Sequence, residues 1–421
     1  MEIERVRAFV EASPDALLPP RLTEGTHPTR EVLDLLPTGP TSGVAVVSAG
    51  DGYLVVPVAD GGGTVRRASA GDGPWAGVLA AVARGEDVGR FGVRRDRVVH
   101  PAAGERAIDV DQSNDSVVVG ETAVVKLFVR TAAGPQPASD LPAHLAAVGF
   151  AETPPSIGAL RWDTDVLLAT VAGYLPGAVD GWSWYPDLLL GAIDRDPTSG
   201  PAVEAATRIG GLVGRLHRAL ATPSAVLPAP VGVADAGAWL GPARSTLARA
   251  VALTPGEEGR RLRALVPAAL EALASLGAAG PTPVMRIHGD LHVGQILRWE
   301  GGEAVGDLDG NPLAPIAARS ASDSPARDVA AMARAIDHVG RVVARRRPDR
   351  AATIDAWIAT ARAAFLEAYR GATDPALFDG RLLGAFEVAQ EAHEYVYAAR
   401  FLPRWRYVPD AAMPDLLAAA G

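Results

Sequence analysis

The side chains best suited to chemistry fall within one short stretch of the sequence. In VMRIHGDLHVGQILRWEGGEAVGDLDGNPLAP, residues 284–315, Asp290 lies in a polar loop between two apolar runs. His288 precedes it by two residues and Gln295 follows it by five; a predicted hairpin then leads to Asp307, Leu308, Asp309 and Gly310. Two acids placed after two strand-like pieces suit phosphoryl transfer. One carboxylate orients the attacking hydroxyl and accepts its proton, while a second carboxylate and an amide oxygen hold the Mg²⁺ that bridges nucleotide phosphates. Asp290 fits the first role, and Asp307 and Gln295 fit the second, because magnesium takes hard oxygen ligands. The alternation of His288, Asp290 and His292 also allows a transition-metal cluster and hydrolysis. That reading leaves Lys126, Gln295 and Asp307 without a task.

Lys126 stands out by type. It is the single lysine among 40 basic residues, the other 39 being arginine, and it falls in the middle of the strand pattern TAVVKLFVR. Arginine replaces lysine readily on a solvated surface, but not where a compact ammonium on a flexible stem must reach a phosphate oxygen from a crowded strand. The plain alternative is a chance survivor of a coding bias. For an acceptor, the last strong helical pattern offers Glu391, His393, Glu394, Tyr395 and Tyr397, followed by Trp405 and Tyr407. Carboxylates take hydroxyl or ammonium hydrogens, and aromatic faces cover the apolar side of a sugar ring. An ordinary amphipathic helix with surface acids would show the same residues. An aminosugar suits Asp309, Glu391 and Glu394, since an ammonium is favoured near carboxylates.

HGDLHVGQ followed by DLDG resembles the catalytic and metal-binding loops of aminoglycoside-phosphotransferase-like kinases. The wider run, through SPARDVAAM, resembles bacterial maltokinases and the related actinobacterial glucosamine kinases, and the similarity extends over the whole chain, including RLHRALA around His217. The resemblance implies an α+β, bilobal protein-kinase-like fold that uses ATP and Mg²⁺, with Asp290 as base, Gln295 and Asp307 on the metal, and Lys126 on the phosphates. It also implies that Gln112, Ser113 and Asn114 lie in the phosphate loop, and that Asp140 is the acid partnering Lys126, where a longer glutamate is the family's usual choice. No glycine-rich loop of the protein-kinase type is present, so DQSNDS must cover phosphates with backbone and hydroxyl donors. Ala398 stands where maltokinases carry a second glutamate, which turns the expectation from a disaccharide towards glucosamine and its 6-phosphate, with Tyr395 and Trp405 beside the sugar. Maltose or glucose phosphorylation, aminoglycoside phosphorylation and a non-catalytic scaffold are the alternatives.

Positioning these residues needs three parts. Residues 1–92 read as an N-terminal α/β cap with one helix over Glu4–Glu11 and short strands such as GVAVVSAG and GYLVVPVA. Residues 93–175 read as a sheet-rich nucleotide-binding lobe. Residues 176–421 read as a helical lobe with the catalytic loop and the acceptor site, and a polar cleft between lobes is where ligands are expected. His217 and His338 sit in apolar helical patterns and read as hydrogen-bonded core histidines. Asp328, early in its helix, reads either as an anchor for the catalytic loop, which the resemblance supports, or as a plain helix-start acid.

Composition narrows the class. With 421 residues, 48% of them apolar, the chain can bury a large core. A net charge of -9 argues against a general nucleic-acid binder. The absence of cysteine removes disulfides, thiol nucleophiles and Cys-zinc sites, and suits a reducing cytoplasm. Neither a signal peptide nor a membrane span is expected, and the protein is expected to act on a small molecule as a monomer or homodimer.

Overall fold

The computed structural model describes residues 1–18, 30–50, 52–108, 114–311 and 314–420. Among these, the chain forms two compact units: residues 1–147, 153–176 and 311–320 in the first, and residues 148–152, 177–310 and 321–421 in the second. The first is rich in sheet and the second in helix, as the α+β reading expects. Among the described residues no helix is long and apolar enough to cross a membrane.

The first unit runs α1 (Ile3–Ala12), β1 (Val32–Pro37), β2 (Ser42–Ala49), β3 (Gly52–Gly61), β4 (Thr64–Arg67), α2 (Pro74–Arg84), β5 (Phe91–Arg95), β6 (Glu105–Ala107), β7 (Asp115–Val119), β8 (Ala123–Leu127), β9 (Arg130–Thr131), α3 (Pro137–Ala147), β10 (Ser156–Trp162) and β11 (Val166–Gly173). One antiparallel sheet has the order β1-β2-β3-β4, with β9 also on β3; the other has the order β5-β10-β11-β8-β7-β6. The chain leaving Lys126 on β8 therefore enters the first sheet within a few residues. Gly52 allows this, because a Cβ there would lie 2.6 Å from the Thr131 carbonyl oxygen.

Both faces of the first sheet are buried, which explains why β2 reads as a continuous apolar run. Val44 and Val46 join a core with Trp75, Val78 and Leu79 of α2 and with Val117, Val125 and Leu160 of the second sheet. Ala45 and Val47 join another with Val6 and Val10 of α1. The stretches read as cap and nucleotide lobe thus share their main core. Helix α2 was not expected: Gly73 and Pro74 look like a turn, yet proline is a favoured first helical residue.

The second unit contains α4 (Gly181–Ala192), α5 (Pro201–Leu220), β12 (Val231–Asp235), α6 (Leu240–Leu253), α7 (Gly256–Ala278), β13 (Pro281–Met285), β14 (Ile296–Trp299) and β15 (Gly302–Val305). After α8 (Ile316–Arg319), which belongs to the first unit, come α9 (Pro325–Arg346), α10 (Ala351–Ala372), α11 (Leu383–Arg400) and α12 (Tyr407–Ala420). Strands β12 and β13 pair with each other, as do β14 and β15. Helices α5 and α10 touch backbone to side: a Cβ at Gly210 would lie 2.2 Å from the Phe365 carbonyl oxygen, and one at Gly214 would lie 2.8 Å from that of Tyr369.

This contact predicts a reversal of helix propensity. Gly→Ala inside a helix normally stabilises by about 1 kcal/mol, whereas Gly210→Ala must push α10 away. It should lower the free energy of unfolding by about 1–3 kcal/mol, read from the midpoint of a denaturant titration.

Candidate active site

The catalytic loop begins where β13 ends and closes at β14. Its backbone is held from beneath by one carboxylate. Asp328, in the first turn of α9, is 1% exposed. It accepts the N–H of His288 at 2.8 Å on one oxygen and that of Gly289 at 3.0 Å on the other. The oxygen that receives His288 also faces Nε2 of His217 on α5 at 3.2 Å, and Nδ1 of His217 lies 2.9 Å from the Tyr369 hydroxyl on α10. Burial pushes the pKa of Asp328 up, but the hydrogen bond and charge of His217, with His288 and the Gly289 N–H, outweigh it and leave it below the ordinary value. The anchor role read for Asp328 and the core role read for His217 both match this geometry.

His288 is fully enclosed. Its Nε2 donates to the Gly306 carbonyl at 2.9 Å and its Nδ1 accepts the Asp290 N–H at 3.3 Å, so both ring nitrogens are used. A metal cluster of His288, Asp290 and His292 is thereby ruled out, and among the described residues no group of three His, Cys, Asp or Glu side chains could hold a metal. Gly306 also donates its N–H to the Gln295 carbonyl at 2.8 Å. Its two peptide groups thus tie the loop of Asp290 to Gln295 and to the residue before Asp307. Asp290 and Gln295 are half-buried and Asp307 is exposed. Asp307 has φ +56°, a left-handed conformation rare for a residue with a side chain and costly enough to mark functional sites. An amide oxygen and a carboxylate at the foot of one hairpin are hard donors that fit a magnesium ion completed by water and phosphate.

Among the residues read for the acceptor, Trp405 donates its indole N–H to Glu394 at 3.2 Å, and Gln390 donates to the other carboxylate oxygen at 3.0 Å. Glu394, Trp405 and Asp309 are half-buried. Glu391 and Tyr395 are enclosed. The Glu391 carboxylate accepts Arg334 Nε at 3.1 Å and faces His338 Nε2 at 3.1 Å. Burial opposes the proton on His338, but the charge and hydrogen bond of Glu391 prevail and raise its pKa. Glu391 therefore holds a buried ion pair, and among the described residues the Tyr395 hydroxyl is buried without a hydrogen-bond partner.

In the first unit, Lys126 is half-buried on β8 between Ser116 of β7 and Thr170 of β11, its Nζ 5.7 Å from the Phe128 ring centre. Asp140 lies in the first turn of α3 and accepts Arg161 at 3.2 Å. Asn114 directly precedes β7, whose first residue, Asp115, is paired with Arg67. Gln112 and Ser113 lie outside the described residues. Trp182, which the sequence reading did not single out, stacks on His292 at 6.1 Å and meets Trp405 edge-on at 5.3 Å. Its signal in the sequence is the helix start VDGW, where Asp180 caps α4.

Residues 104–310 match the model of the phosphotransferase enzyme family. The chain is 44% identical over 400 residues to the glucosamine kinase of Streptacidiphilus jiangxiensis, covering 91% of this chain and 90% of that one. It is 37% identical over 399 residues to the glucosamine kinase of Mycolicibacterium smegmatis, covering 91% and 98%. A solved glucosamine kinase in complex with glucosamine, ADP and inorganic phosphate superposes with TM-score 0.77 at 41% identity, covering 96% of this chain and 98% of the other.

The anchoring carboxylate yields a prediction. A lowered carboxylate pKa contributes stability above its unfolded value that is lost as pH falls through the folded one. Asp328→Asn should cost about 1–3 kcal/mol at neutral pH, and should flatten the loss of stability between about pH 5 and pH 3, followed by circular dichroism on acidification.

Proposed function

The chain belongs to the glucosamine kinase family, and from that premise we propose that it transfers the γ-phosphoryl group of ATP to glucosamine, giving glucosamine 6-phosphate. The observation that carries the chemistry is the Gly306 peptide link, which fastens the loop of Asp290 to Gln295 and the Asp307 turn through two hydrogen bonds. Asp290 is the base: it orients the acceptor hydroxyl and takes its proton as the phosphoryl group arrives. Gln295 and Asp307 are the oxygen donors for magnesium, which when bound offsets charge on the nucleotide phosphates. Lys126 takes a phosphate oxygen, and Asn114 is assigned to the phosphates beside it. We assign Asp140 a supporting part through Arg161.

For the acceptor, the half-buried Glu394 and Asp309 are the carboxylates assigned to the ammonium, and Trp405, fixed by its bond to Glu394, is the aromatic face for the ring. Glu391 and Tyr395 act behind that wall, Glu391 as counter-ion to Arg334 and His338.

The test is ADP release with ATP and Mg²⁺ against glucosamine, maltose, glucose and aminoglycosides. Glucosamine-dependent turnover is expected, with Asp290→Asn lowering kcat about 10²–10⁴-fold while ADP still binds in calorimetry. A near-native rate for that variant would remove Asp290 from the base role, and turnover with maltose alone would overturn the acceptor.

A further inference from the structure

The ring of His292 decides how the Gln295 amide must face. Nδ1 of His292 lies 3.0 Å from the Gly294 backbone N–H, which can only donate, so Nδ1 is the accepting nitrogen. A neutral imidazole then carries its proton on Nε2. That nitrogen lies 3.4 Å from the side-chain amide of Gln295. An amide NH₂ turned towards an N–H would set donor against donor, while a half-turn of the amide, which exchanges nitrogen and oxygen in place, makes the oxygen the acceptor. The oxygen keeps a second lone pair for a cation.

His292 is in turn held by Trp182. The two rings stack at 6.1 Å with a 30° tilt. The backbone on each side leaves no slack. A Cβ on Gly181 would lie 2.0 Å from the Val293 carbonyl oxygen, and a Cβ on Gly294 would lie 2.7 Å from both Trp182 Cδ1 and His292 Cε1. Asp180 fixes the start of the helix by accepting the Trp182 N–H at 2.8 Å. The indole also meets Trp405 edge-to-face, the ring bonded to Glu394.

We propose that His292 and Trp182 are positioning residues: Trp182 holds the His292 ring so that its Nε2–H fixes the Gln295 amide with the oxygen presented to the metal. Trp405, which touches the same indole, ties that setting to the acceptor end. The inference rests on Gln295 being a metal ligand, as proposed above. Partners that orient a ligand in this way change metal affinity by about 10–100-fold when lost.

The experiment measures Mg²⁺ binding to the enzyme–ADP complex by calorimetry, and the Mg²⁺ activation constant at saturating ATP. His292→Ala and Trp182→Ala should each weaken Mg²⁺ by about tenfold or more, with thermal midpoints near wild type. His292→Gln, which restores a donor near Nε2, and Trp182→Phe, which restores the stack, should recover most of it. Gln295→Ala tests the underlying assignment: unchanged Mg²⁺ binding there removes the ligand and the proposal together. Weakening in Gln295→Ala with none in His292→Ala and Trp182→Ala overturns the positioning role alone. The same holds if Trp182→Ala raises only the KM for glucosamine, or if the Gln and Phe variants fail to recover binding while their midpoints are native.

Discussion

A buried carboxylate without partners is among the most costly features a fold can contain, and Asp328 is tolerated because every direction around it is answered. Two backbone N–H groups of the catalytic loop and the ring of His217 share its two oxygens. The dependence runs both ways. The loop before Asp290 has no regular secondary structure to satisfy its amides, so its shape exists only while Asp328 accepts them. The carboxylate in turn stays ionised within the apolar interior only while the loop and His217 donate to it. The Tyr369 hydroxyl extends the arrangement to α10, whose close approach to α5 depends on Gly210 and Gly214. Helix packing and catalytic geometry are one problem in this unit.

Above that anchor the fold uses little material. One residue without a side chain, Gly306, bonds with its N–H to Gln295 and with its carbonyl to His288, and the next residue takes a left-handed turn that few side chains accept. The strain at Asp307 is held by the hairpin before it and by Gly310 after it, also at positive φ. Such strain persists only where neighbours over-determine the backbone. The bonds from Gly306 supply that constraint on the N-terminal side of the turn.

The surroundings of α11 and Trp405 are built differently. Its visible groups, Glu394 and Trp405, lean on a buried layer in which Arg334, Asp337, His338 and Glu391 neutralise one another. The His338 ring lies edge-on to Trp405 at 6.1 Å, so the charged layer and the aromatic surface meet directly. An ion pair at this depth is weak evidence for stability but strong evidence for a fixed arrangement, since moving either partner strands a charge.

The sequence by itself determined the chemistry and its order along the chain. The kinase class was legible because a base and oxygen ligands at the spacing of Asp290, Gln295 and Asp307 have few other uses, and the lone lysine, Lys126, pointed the same way. The major helices after residue 200 were legible because amphipathic periodicity is a local property. What only tertiary structure decided is which polar groups face inward and what they meet there. Glu391 and Glu394 are three residues apart on α11, and the pattern treats them alike. One is sealed against α9 by Arg334 and His338, and the other is left beside Trp405, because burial depends on which helix packs opposite. Trp182 and His292 stand 110 positions apart, and their stacking is set by the seating of Gly181 on the Val293 carbonyl. A close approach between distant backbones leaves no periodicity to read; its local trace is a glycine, and the sequence does not say what that glycine touches.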